Sequence, residues 1–187
     1  LATAQSQAPV ATDNCDATLT PVKTAGSFVA GACPEEGTYT NTWTVTDCAG
    51  NVSAVYTQVI TIEDTQAPTW TTAAGALNVT LQCSDAAGLA TAQSQAPVAT
   101  DNCDATLTPV KTAGSFVAGT CPEEGTYTNT WTVTDCAGNV TAVYTQTITI
   151  IDTTAPTWTT AAGALDITLQ CSDAAGLATA QSQAPVA

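Results

Sequence analysis

The chain has 187 residues with 16 acidic side chains against two basic ones (Lys23 and Lys111), no histidine and no methionine, for a formal net charge of −14. This balance excludes the clustered Lys and Arg that nucleic-acid phosphates require, and equally attraction to an anionic membrane surface; it favours solubility and divalent cations. Hydrophobic residues make up 44% of the chain and the acids are scattered, so a packed core is feasible and the composition is not that of a disordered acidic tail.

The series LATAQSQAPVATDNCDATLTPVKTAGSFVAG begins at Leu1, begins again at Leu89, and its opening returns at Leu177, a period of 88 residues. A period of that length is a domain and not a solenoid rung, which makes the chain a tandem array of near-identical modules. No signal peptide, transmembrane run or lipidation motif is present, and the sequence reads as a window on a longer protein. The segments Ile62–Pro68 and Ile150–Pro156 each follow an alternating run and end in a proline that cannot continue a central strand. They divide the chain into the back part of one module (1–64), a complete module (65–152) and the front part of the next (153–187).

Threonine supplies 39 residues, often alternating with apolar ones, and β-branched side chains suit a pleated, half-exposed surface. Gly, Pro and Asn clusters interrupt these runs and no helical periodicity is sustained, which predicts an all-β module of seven or so short strands. In the complete module Leu77, Val79 and Leu81 alternate with polar partners as a half-buried strand. The clearest strand is Thr126–Cys136: Tyr127, Asn129, Trp131 and Val133 share one face, with Trp131 and Val133 inward, and Thr128, Thr130, Thr132 and Thr134 share the other. Asp135–Asn139 is a turn by composition, and Thr141–Ile151 then runs with Ile148 and Ile150 inward and Thr145, Thr147 and Thr149 outward. The first two copies differ at seven positions. Val59/Thr147 and Glu63/Ile151 fall on the solvent face, while Val79/Ile167 falls on the core face and stays aliphatic.

The eight cysteines fall four to a repeat, at Cys83, Cys103, Cys121 and Cys136 in the complete copy, with no C-x-x-C pair and no histidine. Four-cysteine zinc sites bring two close pairs, so these spacings point to disulfides and an oxidising, extracellular or cell-surface compartment.

Thr128–Asp135 followed by Cys136-Ala-Gly-Asn139, then the strand ending Ile148–Asp152 and Thr-Ala-Pro, resembles the hyalin-repeat module. The likeness is to the cysteine-bearing form found in tandem in giant surface, gliding and adhesion proteins of Bacteroidota. It covers essentially the whole chain and implies an immunoglobulin-like β-sandwich, an adhesive or scaffolding role and no enzyme activity. Cys136 inside the D-x-x-G-N turn departs from the animal hyalin pattern, so connectivity is not carried over. In a sandwich of the implied kind, the loops holding Cys103 and Cys136 share one end and those holding Cys83 and Cys121 the other. The expectation is two disulfides per module, Cys103–Cys136 and Cys83–Cys121, one of the three pairings four cysteines allow. Each would close about 35 residues, worth roughly 3–4 kcal/mol in the chain-entropy model. The same logic pairs Cys15 with Cys48 and leaves Cys33 and Cys171 without partners within the chain.

Hard oxygen donors gather near the junction: Asp64 ends one module, and Asp101, Asn102, Asp104, Asp135 and Asn139 lie in loops expected to face it. Convergence of Asp64, Asp101, Asp104 and Asp135 would suit Ca²⁺, with about six to eight oxygens, although Asp101 and Asp135 can equally cap their own turns. Asn51, Asn78 and Asn139 head N-x-Ser/Thr triplets, and Asp152-Thr153-Thr154 resembles the O-glycosylation acceptor of Bacteroidota. Catalysis has little support, since there is no histidine and the adjacent Glu123 and Glu124 read as an exposed turn. The sequence therefore points to a non-enzymatic structural and adhesive repeat of an extracellular stalk or filament. Its partners would be neighbouring copies of the same module, in cis or as filament neighbours, with the 153–187 segment of one molecule completing the 1–64 part of the next as one variant. The alternative is a ligand-binding module whose exposed Thr face takes glycan or ice.

Overall fold

The computed structural model describes residues 1–186. The first module contributes α1 (Ala2–Gln5), β1 (Val22–Thr24), β2 (Phe28–Ala30), β3 (Gly37–Thr44) and β4 (Tyr56–Ile62). The second contributes β5 (Thr69–Trp70), β6 (Val79–Gln82), α2 (Ala86–Ser94), β7 (Ala99–Thr100), β8 (Val110–Thr112), β9 (Val117–Ala118), β10 (Gly125–Thr132) and β11 (Tyr144–Ile151). The remaining stretch carries α3 (Ala174–Ser182).

The second module is built on one sheet in the order β6-β11-β10-β8, with β9 also paired to β10, and on a separate β5-β7 ribbon. β6 runs parallel to β11; the other pairings are antiparallel. Register follows from the alternation in the sequence. Tyr127 faces Ile148, Asn129 faces Gln146 and Trp131 faces Tyr144 across β10 and β11. A one-residue slip would turn that whole set outward. Trp131, Val133, Ile148 and Ile150 are all buried, as the sequence predicts. The strand expected over Thr126–Cys136 ends earlier, at Thr132; beyond it the chain is paired around the turn by the isolated Thr134↔Val140 bridge, with Thr141 N donating to Val133 O (2.9 Å).

The all-β expectation needs amendment, because α2 crosses the inner face of the sheet. Leu89 and Ala92 pack there with Ile148, Ile150, Val79 and Leu81. Ala-Ala-Gly-Leu-Ala-Thr-Ala-Gln-Ser has no apolar stripe, so periodicity does not betray it. What starts the helix is a cap: the Asp85 carboxylate accepts from Gly88 N at 2.8 Å. Strands dominate, and the fold is mostly β in several sheets.

Two side-chain amides lie fully inside this core. Asn129 Nδ2 donates to Gln146 Oε1 (2.9 Å) and Gln93 Oε1 (3.0 Å), while Gly114 N donates to Asn129 Oδ1 (3.1 Å). Gln146 Nε2 in turn donates to the carbonyls of Leu77 and Ala92. Buried polar groups are tolerable only when satisfied in this way. Gly114 has to be glycine because a Cβ there would collide with the Thr128 carbonyl. Lys111 is drawn in too: its Nζ lies 5.3 Å from the Trp131 ring centroid and donates to the Gln93 carbonyl.

In the first module β1, β3, β2 and β4 repeat this sheet, with Asn41, Gln5 and Gln58 as the matching amides and Lys23 over Trp43. Among the described residues no strand lies on the outer edge of β4.

Candidate functional site

The candidate site is the junction between the first two modules. From the first module comes the loop between β2 and β3, where Gly31 N donates to Glu36 O (2.7 Å) and Glu36 N to Cys33 O (3.1 Å). These bonds hold Cys33 inward, 5% exposed. From the second comes the turn after β10, closed by Asp135 N to Asn139 O (3.0 Å), with Gly138 at a positive φ of 94° that favours glycine.

Cys33 and Cys136 form a disulfide across the junction, with Cα atoms 5.6 Å apart. This corrects the expected pairings. Cys136 is taken by the preceding module and not by Cys103, and Cys33, expected to lack a partner, has one within the chain. Cys103, Cys83, Cys121, Cys15, Cys48 and Cys171 are unbonded, so among the described residues there is one disulfide, between modules, in place of two within each. The physical reason is geometric. Cys103 and Cys136 do share one pole, where Cys136 N donates to the Asp104 carboxylate in the Cys103 loop (3.1 Å). What topology within one module could not disclose is that the neighbour's Cys33 loop inserts into that same crevice.

The acidic residues divide into two sets. Asp64, 9% exposed, is received by both modules: its N–H donates to Glu36 Oε1 (2.7 Å) and its carbonyl accepts from Asn139 Nδ2 (3.3 Å). Its carboxylate, that of Asp101 and Cys103 Sγ lie within 4.8 Å of one another. Asp101 Oδ2 accepts from Cys103 N (2.8 Å) and Asp104 N (3.1 Å), and these bonds hold its carboxyl below the usual range. Its Oδ1 is buried without a hydrogen-bond partner. Asp104 and Asp135 do not join this cluster. Asp104 caps Thr106 N and Cys136 N, and both Asp135 oxygens are spent on Asn139. Cys103 feels the crowding: desolvation first, then the charges of Asp64, Asp101, Glu35 and Glu36, push its thiol pKa up. A thiol so placed is a poor thiolate, and a soft donor among hard carboxylates.

The glycosylation candidates lie in different settings. Asn139 Nδ2 is committed to Asp135 and Asp64, and Asn51 Nδ2 to Asp47. Asn78 is exposed, with Oδ1 accepting from Thr147 N, and Thr153 is exposed beside Gln82. Glu124 is not a loose surface acid, since its Oε1 accepts from Asp152 N (2.8 Å), the counterpart of Glu36 on Asp64. No helix among the described residues is long and apolar enough to cross a membrane.

Comparisons with curated proteins and with solved structures return no match. The family model for an HYR-like domain with 4 cysteines matches twice, over residues 1–62 and 71–150, on either side of the junction, and the chain belongs to that family.

Proposed function

We propose that the chain is part of a non-enzymatic extracellular array in which immunoglobulin-like modules, with bounds near 64/65 and 152/153, are fastened end to end into a stalk or filament with an adhesive role. The observation that carries this reading is the Cys33–Cys136 bridge between modules. A single peptide connection leaves two domains free to swivel. A second covalent link, with the Asn139–Asp64 hydrogen bond beside it, removes most of that freedom. HYR-like repeats are structural modules of extracellular proteins, and the neighbouring partner is another copy of the same module. Ca²⁺ at this joint would draw on Asp64 and the unpartnered Oδ1 of Asp101, completed by further oxygens. Negative-stain microscopy of protein with consecutive repeats tests the reading. Straight rods of constant diameter should become bent bead-strings on reduction, and bead-strings already present in oxidised material would refute it.

A second reading, glycan or ice binding on the Thr face, is favoured by strand register. Thr126, Thr128 and Thr130 stand directly opposite Thr149, Thr147 and Thr145, and Thr112 and Thr80 extend two of those ranks. Val59 opposite Thr40 interrupts the array in the first module. Loss of ice-shaping or glycan-array signal in Thr130→Tyr would support this reading; no signal in the unmodified protein would end it.

A further inference from the structure

The two ends of the second module each carry two cysteines. At the leading end Cys103 and Cys136 border the same crevice as Cys33 of the preceding module. At the trailing end Cys83 N donates to Ile151 O (2.8 Å), and the Cys121 loop presents Glu124 to Asp152 N. β10, eight residues long, spans the distance between these ends, about 26 Å at a strand rise of about 3.3 Å per residue. A disulfide needs Cα atoms within about 7 Å, so no cysteine at one end reaches one at the other within a module.

The Cys33–Cys136 bridge already uses one cysteine from each side of the junction. The 88-residue repeat assigns Cys121 to the same trailing role as Cys33, and Cys48 to the same leading role as Cys136. That leaves in every module one trailing cysteine, of which Cys83 and Cys171 are examples, and one leading cysteine, Cys15 or Cys103. The trailing one can be located at the observed junction. Cys83 hydrogen-bonds Ile151 O, immediately before Asp152. The equivalents of these residues in the first module are Glu63 and Asp64, and Asp64 is held by Glu36 just as Asp152 is held by Glu124. A cysteine of the Cys83 kind in the first module therefore belongs beside Asp64, whose carboxylate lies within 4.8 Å of Cys103 Sγ.

We propose that each junction in a run of these repeats is closed by a second disulfide, from the Cys83-type cysteine of one module to the Cys103-type cysteine of the next. This deepens the stapled-array reading and rests on it. The chemistry balances with a disulfide oxidant of the secretory compartment, either a protein dithiol oxidase or an oxidised low-mass thiol. The exposed Cys83-type thiolate displaces one thiol from the oxidant and forms a mixed disulfide. Cys103 loses its proton and attacks the Cys83-type sulfur, releasing the second thiol. Two thiols are oxidised, and one external disulfide is reduced to two thiols. Acidic neighbours that disfavour a Cys103 thiolate impose no such penalty on a neutral disulfide.

The test is disulfide mapping of protein with consecutive repeats, isolated without reductant, alkylated and digested. The expected product joins a Leu81-Gln82-Cys83 type peptide to an Asp101-Asn102-Cys103 type peptide. A Cys83-type peptide joined to a Cys121-type peptide, or recovered alkylated, would overturn the proposal and leave the Cys33–Cys136 staple standing. As a second arm, Cys103→Ser in every repeat should leave Cys83-type thiols alkylatable and Cys136-type thiols protected. Release of Cys136-type thiols instead would also overturn it.

Discussion

Trp70 meets Tyr144 edge-on, ring centroids 5.5 Å apart, and donates its indole N–H to Ala142 O at 2.7 Å. Tyr144 reaches back to the Ala73 carbonyl and is 4% exposed. Its counterpart Tyr56, identical in the repeat, packs edge-on against Trp43 in the same way that Tyr144 meets Trp131. Further down the strand Ile148 is buried, with Val79 and Leu81 of β6 packed against its cluster. Residues 65–82 thus act as the lid of the β10–β11 sheet, through the β5 ribbon and the parallel β6 strand. Trp70→Ala should destabilise the second module by about 3 kcal/mol, and Trp70→Phe by less, read from urea unfolding.

Asn129 sits at the centre of the buried amide network. Asn129→Ala would leave Gln146, Gln93 and Gly114 N short of partners and should cost about 2–4 kcal/mol, since each unsatisfied buried group costs about 1–3 kcal/mol. Asn129→Asp should be at least as damaging, because the donated pair of bonds is lost and a charge is buried. Chemical denaturation monitored by tryptophan fluorescence checks both.

Natural sequence drift labels the junction disulfide. A peptide containing Ala32 and Cys33 should be found joined to one containing Cys136 and Thr141, whereas a bond within one module would join Ala32 to the Ser53 peptide. Cys33→Ser should lower stability by up to about 4–5 kcal/mol, the chain-entropy value for a closed loop of about 100 residues. Small-angle scattering of the same variant should show a broader distribution of distances between modules.

Asp101 and Asp47 both have carboxyls held below the ordinary range, Asp101 by backbone N–H groups and Asp47 chiefly by the Asn51 side chain. A depressed folded value means the stabilisation is complete above the unfolded pKa of about 3.9 and disappears as pH falls through the lower folded value. The melting temperature should be flat between about pH 7 and 5 and fall below about pH 4. Asp101→Asn should reduce that fall without steepening it.

Much of the β architecture was legible because alternation is a local signal. Tyr127 to Val133 and Ile148 to Ile150 announce their faces, and Asp135–Asn139 announces its turn. Asn129 was legible as facing the core side, but its role was not, since it depends on Gln93 and Gln146 arriving from distant elements. The helix over Ala86–Ser94 was illegible because only Leu89 and Ala92 of its residues join the hydrophobic core, and the clue that remained was the Asp85 cap. The carboxylates of the proposed ion site were legible as a group, but which of them would be consumed by their own loops depended on hydrogen bonds that sequence does not order. Disulfide pairing failed for a different reason. Spacing within one module carries no information on a bond between copies, and Cys33 and Cys136 belong to adjacent ones.

That bridge also decides how the strand responds to pulling. Tension applied at the two termini passes through the sulfurs of Cys33 and Cys136 and bypasses the residues between them, so that stretch cannot be drawn out while the bond survives. The enclosed span of 103 residues is longer than the 88-residue period. Bridges repeated at that period would overlap like the links of a chain, and a pulled fibre would load only the stretch from Cys121 to Cys136 of each module, which holds the already extended β10.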